Sequence, residues 1–156
     1  MSHQTEKPVA TVASDQVRLP IPEYLPLTVL DPAILEKLTK IRSAFMVALG
    51  SHPTPFPLGW CMQTAAFVEE EIGLPRVGGQ YRKSGFGFPH PHHWNKTRDG
   101  LHYIDLTQDQ FGSDIPPIAI LSTSTHKLRE LDHVRRLSRD FRVGEDVSAA
   151  VRKYLL

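Results

Sequence analysis

What this sequence lacks narrows it first. Its 156 residues contain one cysteine, Cys61. An internal disulfide is therefore excluded, as is any multi-cysteine zinc or iron–sulfur site. No run approaches the roughly 18 apolar residues of a membrane-spanning helix. Met1 to Pro20 lack the apolar stretch of a secretory signal, so the expected address is cytoplasmic. An effector exported without a cleaved signal would have the same appearance. Charge of one sign is also missing: 18 Lys plus Arg stand against 17 Asp plus Glu. Such a balance gives no global field for nucleic acid or an anionic membrane, and neither is expected as a partner. With 40% apolar and 22% charged residues, the chain has the composition of a globular domain able to bury a core without staples.

Thirteen prolines are present, and they punctuate the chain. Residues 1–27 are polar and carry Pro8, Pro20, Pro22 and Pro26, which indicates a flexible or extended arm. Residues 28–156 are expected to form a single domain. A helix should begin with Asp31 as N-cap and Pro32 as its first residue. Ile34, Leu38, Ile41, Phe45 and Leu49 form its apolar stripe, and Gly50 its C-cap. A proline-rich loop, Ser51 to Trp60, cannot be regular helix. A second helix is expected over Cys61–Ile72, closed by Gly73 and Pro75.

The pattern then turns strand-like. Val77–Lys83 is a strand candidate and Ser84–Pro91 a loop. His92–Lys96 and Leu101–Leu106 suggest a hairpin around Thr97-Arg98-Asp99-Gly100. Ile118–Leu121 is a further short strand. Leu128, Leu131, Val134 and Leu137 repeat at helical spacing, and a last helix follows Asp146. The expected fold class is α+β: N-terminal helices, the cysteine helix among them, packed on a small antiparallel sheet, with C-terminal helices covering its other side.

The lone cysteine sits in the first turn of a helix. There, unpaired backbone N–H groups and the helix dipole favour a thiolate, the form in which sulfur is a nucleophile. A proton shuttle and a group to orient it are also needed. If the hairpin loop has an even number of residues, His92, Trp94 and Asp105 share one face and His93 the other. With Lys96 and Leu101 closing the loop, His92 opposes Asp105. With a tight turn at Asp99-Gly100, Trp94 opposes Asp105 and His92 is its diagonal neighbour. An odd, bulged loop would select His93 instead.

Gly59-Trp60-Cys61, then His92-His93-Trp94-Asn95, then Tyr103-Ile104-Asp105-Leu106-Thr107 resemble, in this order, the papain-like and transglutaminase-like cysteine superfamily. Within it, the run from His92 to Phe111 is similar to small bacterial YunG-like proteins. The resemblance covers roughly residues 57–123. It implies a papain-like core and a catalytic triad: Cys61 as nucleophile, His92 as base and acid, Asp105 as orienter. It further implies a hydrolase or acyltransferase that attacks an amide or thioester and passes through a thioacyl-enzyme. The substrate would be a peptide, a protein or a small acyl or amide compound, and no cofactor is implied.

One departure from papain-like proteases is the missing glutamine a few residues before the cysteine; Thr54 to Gly59 stand there. The Cys61 N–H supplies one oxyanion donor. Gln80, Asn95 and Gln108 are candidates for the second. Trp60 and Trp94 are candidate residues flanking the substrate cleft.

Other readings stand beside this one. Cysteine on an apolar helix face is commonly packing filler. His90 and His92 with Asp105 have zinc-ligand chemistry, but Pro91 should interrupt their strand and no zinc-hydrolase motif is present, so no metal is expected. Arg129, Arg135, Arg136, Arg139 and Arg142, interleaved with acids, suggest a solvated helix face. The chain is then either an enzyme or a non-catalytic protein-binding module on the same fold. A deamidase or peptidoglycan-amidase type effector is a third class.

Overall fold

The computed structural model describes residues 23–82 and 89–155. Most of the N-terminal arm and most of the expected Ser84–Pro91 loop lie outside them. Two early helices form where the sequence signals them. The first, α1 (Pro32–Ala48), starts as its caps dictate, with the Asp31 carboxylate accepting from the Ala33 N–H at 2.8 Å. Leu49 rather than Gly50 is its C-cap. Its stripe buries Leu38, Ile41 and Phe45. The second, α2 (Cys61–Ile72), has the expected bounds and buries Thr64 to Val68.

Five strands follow: β1 (Arg76–Tyr81), β2 (His90–Lys96), β3 (His102–Asp105), β4 (Ala119–Ser122) and β5 (Leu128–Glu130). They form one antiparallel sheet in the order β4-β3-β2-β1-β5. Two short helices complete the described chain, α3 (Asp132–Ser138) and α4 (Glu145–Arg152).

Three expectations need correction. Pro91 does not break β2; it pairs with Gln80 of β1. On the other side β3 pairs with β2 only at Asn95 and Lys96, so at Pro91 that edge is open, where a strand tolerates a missing N–H. Leu128 belongs to β5 and not to a helix. It pairs with Tyr81, and Glu130 pairs with Gly79. A Cβ on Gly79 would stand 1.9 Å from the Arg129 carbonyl oxygen, so the approach of β5 depends on glycine there. Arg129 therefore lies on a sheet edge, and the five arginines do not form one helix face.

The C-terminal helices, finally, do not cover the opposite side of the sheet. Val151 of α4 joins the same core as Phe45, Phe67, Ile104 and Ile120. The α3 residue Val134 lies against Gly78, whose pairing with His93 puts it on the α2 side. The other face is a second core, Val77, Tyr81, Trp94, Tyr103, Ile115, Ala119, Leu121 and Leu128. Tyr24 and Phe111 pack onto it, and Tyr24 also bridges to Leu121 at the sheet edge.

Candidate active site

The thiol is placed by how α2 lies on β2. The Asn95 side chain donates to the Ala65 carbonyl at 2.9 Å and to the Leu74 carbonyl at 3.1 Å, which fixes the helix to the strand. One helical turn back from Ala65 is about 6 Å, the length of roughly two strand residues. That step carries Cys61 to the level of His93. The Cys61 Sγ indeed lies 3.9 Å from His93 Nδ1. Trp60, at the N-cap of α2, offers no side-chain hydrogen bond to the first turn. The leading N–H groups of the helix are thus left to favour an anion at Cys61.

The hairpin sets the second imidazole. Asn95 pairs with Ile104 and Lys96 with Tyr103. Continued along the strands, this register sets Trp94 opposite Asp105 and His92 diagonal to it, the geometry of the tight-turn alternative. His92 Nε2 meets Asp105 Oδ2 at 2.6 Å, and both side chains are fully buried. A carboxylate only accepts, so Nε2 carries the proton and Nδ1 is the basic nitrogen of the neutral ring. Nδ1 is buried without a hydrogen-bond partner among the described residues. Aromatic rings fix the plane of the imidazole: Trp94 stacks at 6.0 Å, and Phe111 and Tyr81 present edges at 5.1 and 6.2 Å.

The Asp105 carboxylate is saturated. Its Oδ1 accepts from the Thr107 N–H at 2.9 Å and the Thr107 hydroxyl at 3.1 Å. Its Oδ2 also accepts from Gln108 Nε2 at 3.2 Å. Gln108 is held in turn by the Tyr24 hydroxyl, which donates to its Oε1 at 2.6 Å.

These contacts set the charges. Burial pushes the Cys61 thiol up, but His92 and then His93 outweigh it, and the thiol falls to about 6. Burial also opposes an imidazolium at His92. The Asp105 carboxylate, helped by Cys61, overrides that and raises His92 to about 10. Burial would raise Asp105 too, but His92 and the hydrogen bonds from Thr107 and Gln108 hold it below the usual carboxylate range. The lowered thiol and the raised imidazole both favour a thiolate beside an imidazolium.

His92 and Asp105 are therefore in direct contact, while the Cys61 sulfur touches His93 and is lowered by both imidazoles. The other candidates have different occupations. Asn95 spends both amide hydrogens on joining α2 to β2, and Gln108 is tied at both ends, its Nε2 to Asp105 and its Oε1 to Tyr24. The Trp60 indole donates to the Thr54 carbonyl at 2.8 Å and pins the proline-rich loop. Trp94 is fully buried beneath His92. Gln80 is half-buried and, by register, shares the face of His93. His90 is exposed and stacks on Phe111. Among the described residues, no three His, Cys, Asp or Glu side chains are grouped to hold a metal.

Sequence reasoning missed the short 3-10 turn Gln108–Phe111. Each of its residues braces the site. Gln108 holds Asp105, and Phe111 stacks on Tyr81 at 4.1 Å beside His92. Asp109 receives two hydrogen bonds from Arg42 of α1, at 3.1 and 2.6 Å. Arg42 also donates to the Leu106 carbonyl. Gln110 Oε1 accepts from the Gly59 N–H at 3.2 Å. The only sequence signal was the string of side chains with amide and carboxylate groups after Asp105.

A cavity of about 530 Å³ lies elsewhere, between α1, the end of α2 and the β2–β3 turn. Its walls include Ile34, Leu74 and Arg98 but not Cys61, His92 or Asp105. Among the described residues, no helix is long and apolar enough to cross a membrane. In comparisons with known proteins, the chain matches no family model, no curated protein and no solved structure.

Proposed function

We propose that this protein is a cysteine-dependent hydrolase or acyltransferase with a papain-like core, acting on an amide or thioester carbonyl. The observation that carries the reading is the buried His92–Asp105 pair, Nε2 to Oδ2 at 2.6 Å, beside a thiol at an uncapped helix start that the His92 and His93 imidazoles lower. A pair lying between about 6 and about 10 is charged at neutral pH without any prior proton transfer.

In this mechanism the Cys61 thiolate adds to the carbonyl carbon. A C–S bond forms and the π pair moves to oxygen. Collapse of that intermediate expels the amine or thiol, which takes its proton from His92. The thioacyl-enzyme remains. His92, now neutral, removes a proton from water or from another acceptor as it attacks, and the thiolate is released. Asp105 stabilises the imidazolium and keeps its orientation throughout. The substrate is a peptide, a protein or a small acyl or amide compound, the reaction needs no cofactor, and the proposed address is cytoplasmic.

p-Nitrophenyl acetate tests this reading. The protein should release about one equivalent of p-nitrophenol per chain in a burst and carry an acetyl group on Cys61, detected by peptide mass spectrometry. Cys61→Ala should lose the burst and keep its circular-dichroism spectrum. A wild-type protein with no acetyl on Cys61, or a Cys61→Ala variant with an undiminished burst, would overturn it.

A further inference from the structure

The developing oxyanion needs a second donor. Asn95 and Gln108 are tied to other partners, and among the described residues no hydrogen bond holds Gln80 toward Cys61. Gln110 has one that does. Its amide orientation is fixed by chemistry: the Gly59 N–H can only donate, so the atom facing it at 3.2 Å is the oxygen. The amide nitrogen is then a donor, and it is buried with no acceptor among the described residues. A buried donor left unpaired is costly, and such a group asks for an acceptor that arrives later. Its position is also fixed. Gly59 lies two residues before Cys61, at φ 75°, in the turn that leads into α2. A carboxamide nitrogen shares its carbon with the oxygen, so Nε2 is held close to Gly59, two residues ahead of Cys61. The turn carrying Gln110 is braced by Arg42 on Asp109.

We infer that Gln110 is a catalytic residue, its Nε2 donating with the Cys61 N–H to the oxyanion formed when the thiolate adds to a carbonyl. This glutamine follows the cysteine by 49 positions and comes from the turn after Asp105. It would supply from another part of the fold the donor missing ahead of Cys61. During acylation the Cys61–carbon bond forms and the carbonyl π pair becomes the oxyanion bound by Gln110. The pair returns as the leaving group departs with its electrons.

The inference rests on the thioacyl reading, and two probes separate their failures. Iodoacetamide alkylates a thiolate without forming an oxyanion; p-nitrophenyl acetate acylates it through one. Gln110→Ala should slow acylation of Cys61 by about a hundredfold, the usual effect of losing one oxyanion donor. Alkylation rate and its pH midpoint should not change. Gln110→Glu keeps an acceptor for the Gly59 N–H and removes the donor, so it should show the same loss even if the alanine variant folds poorly. Unchanged acylation in Gln110→Glu, or equal loss of acylation and alkylation in both variants, would overturn the role of Gln110 alone. Absence of acylation in the wild type would overturn the thioacyl reading and this inference with it.

Discussion

His92 and His93 are neighbours in the chain and both act on one thiol, yet their surroundings assign them different work. His92 is fully buried, boxed by aromatic rings and tied to Asp105. His93 approaches Sγ from the α2 side with Nδ1, and its Nε2 has no hydrogen-bond partner among the described residues. Among the described residues, only His92 of the two has a carboxylate to stabilise its charged form. His92→Ala is therefore expected to abolish acylation by p-nitrophenyl acetate, at least about a hundredfold, in the range of general acid–base contributions. His93→Gln should reduce it less than about tenfold while moving the thiol midpoint upward, because one of two stabilising imidazoles is lost. Rates of both variants check this, and the reverse order would exchange their roles. His92 and Asp105 were legible because strand parity is a strict rule: an even loop leaves no other arrangement. Gln110 was not legible, because its meaning lies in a hydrogen bond to Gly59, 51 residues away. No periodicity encodes that contact. The bridge from Arg42 to Asp109 is likewise a contact between distant parts of the chain that no local pattern marks.

At the scale of elements, the site depends on β1 lying flat between β2 and β5. Gly79 faces His92 across one ladder and Glu130 across the other. A Cβ there would meet the Arg129 carbonyl oxygen at 1.9 Å and the Trp94 ring at 2.8 Å. Neither backbone nor a buried indole yields cheaply. Gly79→Ala should cost about 3 kcal/mol, the upper end of ordinary overpacking, seen as a lower urea midpoint. It should also slow acylation by displacing the ring stack beneath His92. An unchanged midpoint would show that β5 does not pair as described. The two long helices were readable from cap and stripe, because Asp31-Pro32 and the Ile34–Leu49 stripe act locally. β5 was not. Leu128, Leu131 and Val134 keep helical spacing by coincidence of a three-residue strand followed by a short helix. The pull that makes Leu128 extended is the unpaired edge of β1, a partner distant in sequence.

At the scale of the whole molecule, all four described α-helices share one side of the sheet, and an aromatic core bordered by the 3-10 turn Gln108–Phe111 fills the other. Cys61 belongs to the helical side and His92 to the aromatic side, so the reacting pair straddles the sheet. The charge balance of the chain leaves recognition to this local site. Stability should follow the pair. A lowered thiol contributes stability that fades as pH falls through about 6; a raised imidazole contributes stability that fades as pH rises through about 10. Having a single cysteine makes the decisive titration unambiguous: every thiolate signal comes from Cys61. The rate of iodoacetamide alkylation, followed against pH on the folded wild-type protein, should rise to half its plateau near pH 6 and stay level through pH 8. A half-rise near pH 9, the ordinary value for a thiol, or no alkylation before unfolding, would contradict the thiolate–imidazolium pair at the centre of this account.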